Sequence, residues 1–235
     1  MTDVIAHRGA SRDERENTLA AFRRAVAVGA DGVELDVRRS ADGELVVHHD
    51  ATLDDGRVIV ETQAGELPEH VARLHEALDA AAGLIVNVEL KNAPGEPDFD
   101  PDDSVAAAVA DLLARRPEPA GRWLVSSFRL ETVDRFRKFA PQVPTALLTD
   151  HLDDDVVALA LGHGHTVVHP WFGDLTATAI QSAHGSGVRI NAWTCNDPAR
   201  AVELAGWGID GIVTDVPDVI RAALAAADPP AATPA

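Results

Sequence analysis

The chain has 235 residues, of which 46% are hydrophobic and 25% charged, and its formal net charge is −18 at pH 7. These proportions are ordinary for a globular protein, and so negative a surface disfavours nucleic acid and anionic membranes as general partners. Cys195 is the single cysteine, and neither a signal-peptide pattern nor an apolar run of roughly 20 residues is present, so we expect a cytoplasmic protein without disulfides or stable membrane anchoring.

Short runs rich in valine, isoleucine and leucine alternate along the chain with longer segments of helical spacing. The eight strand-like runs are VIA (4–6), GVELDV (32–37), LIVNVEL (84–90), WLVSS (123–127), PTALL (144–148), HTVVH (165–169), VRINAW (188–193) and GIVT (211–214). Helical patterns follow them, in the order TLAAFRRAVAVG, HVARLHEALDAAAG, DDSVAAAVADLLARR, LETVDRFRKFA, DDDVVALALG, LTATAIQSAHGSG, PARAVELAGWG and PDVIRAALAAA. Asn17 is predicted to cap the first helix and Gly29 to end it, while Pro198 and Pro217 suit a first helical turn.

Eight strand–helix units close naturally as a (β/α)8 TIM barrel, an α/β fold in which helices surround a ring of parallel strands. The strands are apolar on both faces, as expected when helices cover the outside of the sheet. A doubly wound open sheet is the alternative, but such sheets usually have fewer strands. We predict one barrel domain over residues 1–228, followed by a frayed tail over residues 229–235. The sequence indicates no oligomeric state.

One segment interrupts this alternation after the second strand. The stretch SADGELVVHHD is predicted to turn at Asp42 and Gly43 and then to form a short extra strand. This hairpin insertion would carry His48, His49 and Asp50 back toward one end of the barrel. Strand alternation indicates only that one of the two histidines faces the site.

Polar side chains follow several strands at their carboxyl ends, where barrels of this type have their functional sites. Glu34 and Asp36 are separated by one residue, so both side chains should point into the barrel mouth. Glu89 and Lys91 repeat this spacing on the next strand of the ring. Three converging carboxylates repel one another unless a cation lies between them. Oxygen ligands suit one divalent cation, Mg²⁺ or Ca²⁺, and we predict such a site here.

The first strand ends in His7 and Arg8. An imidazole titrates near neutrality, so two histidines on opposite sides of a reacting centre can serve as base and acid in turn. Arginine presents a planar fork that suits phosphate oxygens. A metal, an arginine and paired histidines together favour phosphoryl transfer. Two alternatives to this interpretation stay open. One is that His7 is a buried histidine bonded to the backbone. The other is that Glu34 and Asp36 form salt bridges with Arg38 or Arg39.

Eight short motifs occur in order along the chain: HRG (7–9), ENT (16–18), ELD (34–36), HD (49–50), VELK (88–91), SF (127–128), WTCN (193–196) and GIDGIVTDVPD (208–218). Each is weak alone, but the ordered set resembles that of the glycerophosphodiester phosphodiesterases over nearly the whole chain. The resemblance implies a TIM-barrel hydrolase. Its small-molecule substrates would be glycerophosphodiesters, which are cleaved to glycerol 3-phosphate and an alcohol.

The resemblance also implies roles for individual residues, by their match to the motifs of the family. His7 and His49 match the two histidines that carry acid–base catalysis, and Glu34, Asp36 and Glu89 match the carboxylates that hold the divalent metal. Arg8 and Lys91 match the two cations that face the phosphate. Trp193 matches the tryptophan that borders the glycerol end of the pocket. Glu16 is a further candidate, either beside the metal or as a residue that holds the first loop. Ser127 is another candidate, from the SF motif.

The segment after HD departs from the family pattern. Members often have an inserted segment that begins with a run like TLDRTT, whereas this chain has TLDDGRVIVETQAG. A shorter insertion would leave one side of the mouth open and admit a lysophospholipid, so lysophospholipase D activity is the alternative function. A non-catalytic phosphate-binding barrel is a further alternative. Such decay normally removes a metal ligand or a histidine, and all five matching positions are filled here.

Overall fold

Strands and helices alternate throughout residues 1–227, the part of the chain that the computed structural model describes. The strands are β1 Asp3–Ala6, β2 Gly32–Arg39, β3 Leu45–Val47, β4 Ile85–Leu90, β5 Trp123–Ser127, β6 Thr145–Thr149, β7 Val167–Pro170, β8 Arg189–Ala192 and β9 Gly211–Thr214. The helices are α1 Leu19–Ala27, α2 Leu74–Ala80, α3 Ser104–Ala114, α4 Leu130–Phe139, α5 Asp154–Gly162, α6 Ala177–Gly185, α7 Pro198–Gly206 and α8 Pro217–Ala227. The tail predicted over residues 229–235 lies outside the described residues.

Eight parallel strands close into a barrel. Their order around the ring is β1, β9, β8, β7, β6, β5, β4 and β2, and the pairing of β1 with β2 completes the circle. A helix lies between successive ring strands along the chain, and α8 follows the last of them. The predicted TIM barrel is therefore confirmed, and the doubly wound open sheet is wrong because that fold leaves two sheet edges unpaired.

The short strand β3 is the hairpin insertion expected after β2. It runs antiparallel to β2, with Val37 opposite Val47 and Arg39 opposite Leu45. Gly43 has a φ of 84° at the connecting turn, a backbone conformation that glycine adopts without steric cost. The chain beyond β3 covers this hairpin through a small buried cluster formed by Val46, Leu53, Ile59 and Val71.

The outward-facing side chains of the strands pack beneath the helices. Leu35 of β2 and Phe22 of α1 are fully buried in the same apolar cluster, and burial of a side chain of this size stabilises the fold by about 1.5–3 kcal/mol. Since alternate residues of a strand face opposite sides, this packing directs Glu34 and Asp36 into the barrel mouth. None of the helices within residues 1–227 has the length and apolar character required to cross a bilayer.

The start of α1 differs from the sequence-based prediction. Thr18 caps the helix by accepting a hydrogen bond on Oγ1 from Ala21 N at 3.2 Å, so the prediction of Asn17 as the cap was wrong. Both residue types suit an N-cap, but the amide of Asn17 is buried and bonds a carboxylate of β2 instead. Gly29, with a φ of 75°, follows the end of α1 as predicted.

Candidate active site

Three carboxylates meet at the carboxyl end of the barrel. β2 carries Glu34 and Asp36, β4 carries Glu89, and the parallel register places Asp36 directly opposite Glu89. One oxygen of each carboxylate lies within 4.8 Å of the other two, and all three residues are buried. The predicted convergence of these side chains is confirmed.

Two cations lie against this acidic cluster. Lys91 Nζ is 2.8 Å from Glu89 Oε1 and 3.5 Å from Asp36 Oδ1. Arg8 Nε is 3.2 Å from Asp36 Oδ2. Glu34, by contrast, receives only a hydrogen bond from the Arg8 main-chain N–H, at 3.0 Å, and its charge faces no side-chain cation this closely among the described residues.

The alternative pairing with the neighbouring arginines of β2 is wrong. Arg38 binds carboxylates of the loop after β4, and Arg39 binds Ser104 and lies 3.7 Å from Asp100. Neither arginine pairs with the carboxylates of the cluster, although Arg38 shares their strand face. This alternative fails because the segment after β4 brings its own carboxylates to these arginines.

The charges of the cluster are unevenly compensated. Burial, and then repulsion from Asp36 and Glu89, raise the pKa of Glu34 well above its ordinary value. Burial and the Asp36 charge likewise raise the pKa of Glu89. Burial also acts to raise the pKa of Asp36, but Lys91 and Arg8 hold it below its ordinary value. The cluster thus lacks positive charge, above all beside Glu34.

The donor set fits a hard divalent cation. Glu34 Oε1 is buried and has no hydrogen-bond partner among the described residues, which is costly for a carboxylate oxygen unless a ligand meets it. Carboxylate oxygens are the ligands that Mg²⁺ and Ca²⁺ prefer. Glu34, Asp36 and Glu89 can therefore hold one divalent cation, in accord with the prediction from the sequence.

His7 lies beside this cluster at the end of β1. Its Nδ1 is 2.7 Å from Asp215 Oδ1, and its Nε2 is 3.9 Å from Glu34 Oε2. The imidazole thus binds a carboxylate rather than the backbone, so the alternative of a backbone-bonded core histidine is wrong. Asp215 can only accept a hydrogen bond when ionised, so this contact favours the tautomer of the neutral ring that has its proton on Nδ1 and its lone pair on Nε2.

The turn after β1 has an unusual backbone. Arg8 has a φ of 55°, a left-handed conformation that is uncommon for any residue except glycine. At Gly9, which has a φ of 84°, an added Cβ would lie 2.6 Å from the main chain of Ala21. The tight turn directs the Arg8 N–H to Glu34, and its guanidinium donates two hydrogen bonds to Glu16, at 2.9 and 3.1 Å. Glu16 thus holds Arg8 and the first loop, and it lies outside the acidic cluster.

His49 is the second histidine at the mouth. Its Nδ1 is 2.7 Å from Asp50 Oδ1. Burial lowers the pKa of His49, although the charge of Asp36 acts to raise it. The main chain places His49 beside the acidic cluster, since the N–H of the preceding residue donates to the carbonyl of Asp36 at 3.0 Å. The ring of the preceding histidine bonds the main-chain carbonyl of Asp50 instead.

Aromatic side chains border the other side of the mouth. Trp193 is half-buried after β8, and its ring meets that of Phe128 edge to face, with centroids 5.4 Å apart. Its indole N–H donates to the carbonyl of His169 at 2.7 Å. Ser127 is buried and donates its hydroxyl proton to the carbonyl of Leu90 at 2.8 Å, which ties β5 to β4.

A cleft of about 290 Å³ opens from the acidic cluster between the loops after β4 and β5. Its apolar lining consists of Leu90, Ala93, Pro94, Phe128 and Leu130, and Glu89 and Lys91 form its inner end. A substrate part bound here would lie directly beside the carboxylates.

Two supporting residues were missed by the sequence analysis. Asp215 binds His7, and it is itself held by Asn196, whose Nδ2 donates to Asp215 Oδ2 at 2.6 Å. Asn17 donates from Nδ2 to Asp36 Oδ2 at 2.8 Å. Asp215 directly follows the strand-like run GIVT, and this position at a strand end is the signal that could have identified it.

The sequence and the fold are similar to those of known hydrolases. A family model described as the glycerophosphoryl diester phosphodiesterase family matches residues 7–219. A glycerophosphodiester phosphodiesterase of Caldanaerobacter subterraneus subsp. tengcongensis is 29% identical, over 93% of this chain and 96% of its own length.

Solved structures of phosphodiesterases have the same fold as this chain. An Oleispira antarctica phosphodiesterase in complex with the product sn-glycerol-3-phosphate has a TM-score of 0.87 at 25% identity, over 95% of this chain and 97% of that chain. A glycerophosphodiester phosphodiesterase of Thermotoga maritima has a TM-score of 0.79 at 28% identity, over 94% and 98% of the two chains. The family match extends from His7 to beyond Asp215 and so includes the whole site. This chain belongs to the glycerophosphoryl diester phosphodiesterase family.

Proposed function

We propose that this chain hydrolyses glycerophosphodiesters to sn-glycerol 3-phosphate and an alcohol. The observation that carries the proposal is the cluster of three buried carboxylates with an unpartnered oxygen on Glu34, beside which His7 lies. The product bound by the Oleispira antarctica relative supports the same substrate class. Because the chain has a net charge of −18, an anionic substrate needs a local positive site in order to bind.

Glu34, Asp36 and Glu89 would hold one divalent cation, Mg²⁺ or Ca²⁺. When bound, the cation supplies neutralisation of the phosphate charge that develops during the reaction. Arg8 and Lys91 add fixed positive charge at the same edge, and Arg8 offers a fork that suits phosphate oxygens. These side chains bind and orient the diester so that its scissile bond lies between the two histidines.

His7 and His49 carry the proton transfers in this proposal. Burial acts to raise the pKa of Asp215, but hydrogen bonds from His7 and Asn196 outweigh it and lower this pKa to about 2. Asp215 therefore stays ionised and keeps the His7 proton on Nδ1. The Nε2 of His7 is then able to take a proton. His49 presents its own Nε2 while Asp50 holds its Nδ1, so one histidine takes a proton as the other gives one. Trp193 borders the glycerol part of the substrate.

The test is a turnover assay of the purified chain on glycerophosphocholine and glycerophosphoethanolamine. We expect release of glycerol 3-phosphate with Mg²⁺, Ca²⁺ or Mn²⁺, and a loss of about 10³-fold in excess EDTA, since a metal contributes several kcal/mol at a developing phosphate charge. Glu34→Gln should reproduce the EDTA loss, whereas the exposed control Glu203→Gln on α7 should not. Equal turnover in EDTA would rule out the metal-dependent mechanism.

Lysophospholipase D activity is the second candidate, and the exposed aromatic side chains at the mouth favour it. Phe128 is 48% exposed and Trp171 is 40% exposed, and Trp171 pairs through its main chain with Trp193. Together with the apolar cleft, they offer a surface to an acyl chain. The ratio of kcat/KM on lysophosphatidylcholine to that on glycerophosphocholine decides between the candidates. A strong preference for the soluble diester rejects the second one.

A further inference from the structure

Arg38 is a fully buried arginine on the strand that carries the acidic cluster. It follows Glu34 and Asp36 at the same alternate spacing on β2, so the three side chains share one face of the strand. Its side chain has no exposed surface. A buried guanidinium requires partners for its N–H groups, and these partners indicate what Arg38 does.

Two of its nitrogens donate to a single acceptor, the main-chain carbonyl of His49. The distances are 2.8 Å from Nε and 2.5 Å from Nη2. The third nitrogen, Nη1, donates to Glu96 Oε2 at 2.8 Å and to Asp98 Oδ2 at 2.6 Å. Arg38 therefore joins the backbone of the second histidine to the acidic loop that follows β4. We name this set of contacts the Arg38 clamp.

The clamp acts at the point where the chain leaves the sheet. The ladder between β2 and β3 ends with Val37 opposite Val47, and His48 N adds one bond to Asp36 O at 3.0 Å. Beyond it, the main-chain hydrogen bonds of His49 run only to Arg38 within residues 1–227. The side chain of His49 is half-buried, and within the described part of the chain it bonds only the adjacent Asp50. The position of His49 beside the end of β2 thus depends on the clamp.

We propose that Arg38 is a positioning residue for the reaction: it fixes the main chain of His49 at the barrel mouth, and Glu96 and Asp98 hold Arg38 in place to do so. This inference rests on the proposed function, because it assumes that His49 transfers a proton. Glu96 also lines the cleft beside the cluster. The clamp therefore connects the wall of that cleft to the histidine.

Arg39 provides the matched control. It is the next residue of β2 and also binds the segment after β4, through Ser104 and, at 3.7 Å, Asp100. It makes no hydrogen bond to His49 among the described residues. If activity depends only on a general tether between β2 and this segment, substitution of either arginine should lower kcat. If it depends on the positioning of His49, only substitution of Arg38 should lower kcat.

The experiment compares Arg38→Lys with Arg39→Lys on glycerophosphocholine at saturating divalent cation. We expect kcat of Arg38→Lys to fall about 10²-fold with KM nearly unchanged, because a small misplacement of a reacting group costs about that factor. The imidazole ¹H–¹⁵N signal of His49, identified through His49→Gln, should shift in the same variant. Arg39→Lys should match the wild type in kcat and in that signal.

A folded Arg38→Lys variant with wild-type kcat and an unshifted His49 signal would overturn the inference. If Arg38→Lys does not fold, Asp98→Asn weakens the same clamp from outside the barrel. It should lower kcat about tenfold, as expected for one charged hydrogen bond, and an unchanged kcat would again overturn the inference. The failure of the proposed function is distinguishable, because the wild type would then release no glycerol 3-phosphate from glycerophosphocholine. If only the proton transfer by His49 fails, the wild type is active and His49→Gln keeps full turnover. An inactive His49→Gln beside a fully active Arg38→Lys rejects the clamp alone.

Discussion

The two ends of the barrel each contain a histidine bound to an aspartate, but the two pairs differ in what remains free. At the carboxyl end, His7 bonds Asp215 through Nδ1, while its Nε2 faces Glu34 without a hydrogen bond among the described residues. At the amino end, His165 bonds Asp134 through Nε2, at 3.0 Å, and Thr145 through Nδ1, at 2.7 Å. Within residues 1–227, the His7 ring therefore has one nitrogen without a hydrogen bond, whereas both nitrogens of His165 are bonded.

The polar groups around the two histidines also differ in whether they have hydrogen-bond partners. Asp134 also receives a bond from His163 at 2.7 Å, and His165 is fully buried. The group at the amino end is thus satisfied by its own neighbours and stabilises the fold. The carboxyl end instead holds an unpartnered carboxylate oxygen and a residue in the left-handed backbone conformation. A buried carboxylate oxygen without a partner is especially costly, and beside a strained turn it indicates where a ligand is expected.

The largest expected effect comes from replacing the two histidines by the same residue. His7→Gln should lower kcat by about 10²- to 10⁴-fold, the usual contribution of a general acid or base. His165→Gln should leave kcat of the folded enzyme unchanged and lower the melting temperature. Steady-state kinetics and thermal unfolding of both variants check this. An active His7→Gln variant would remove the functional difference between the two ends.

The next effect concerns the two aspartates. Asp215→Asn keeps the shape of the side chain but no longer enforces the Nδ1 proton on His7, so kcat should fall about 10²-fold or more. Asp134→Asn should instead lower the free energy of unfolding by about 1–3 kcal/mol, since one of its two histidine contacts loses its acceptor. Urea denaturation and kinetics of each variant separate the two outcomes. Loss of stability without loss of kcat in Asp215→Asn would contradict a positioning role.

The smallest expected effect is a pH dependence of the folding stability, which arises from His169 inside the barrel, between the two ends. Burial, and then the charge of Arg189, lower the pKa of His169 to about 3. The unfolded chain therefore binds the extra proton below about pH 6.5 while the folded chain does not, so stability falls as the pH drops from 6.5 toward 3.

The size of this effect follows from linkage. His169 alone should cost about 1.7 kcal/mol of unfolding free energy between pH 6.5 and 5, since the slope rises from half of about 1.4 kcal/mol per pH unit at pH 6.5 to nearly the full value at pH 5. Urea denaturation of wild type and His169→Gln at these two pH values gives the measurement, with the exposed His151→Gln as control. Equal slopes for the wild type and His169→Gln would contradict the assignment of this pH dependence to His169.

Most of the barrel was predictable because its signals are local. β5 and β9 begin and end where the apolar runs WLVSS and GIVT do. The acidic cluster also followed from local rules, since the spacing of Glu34 and Asp36 determines that they share a strand face. The cap of α1 was predicted wrongly, because Thr18 and Asn17 are both acceptable caps and only the fold shows that Asn17 bonds Asp36.

The sequence alone therefore determined the alternation of strands and helices and the side of each strand that carries carboxylates, because both depend on periods of two and 3.6 residues. Only the tertiary structure decided which charged groups meet. Asp215 bonds His7 across 208 positions of the chain, and Asp98 bonds Arg38 across 60. No local pattern specifies such pairs, since barrel closure and loop packing bring them together and burial then requires each polar group to find a partner.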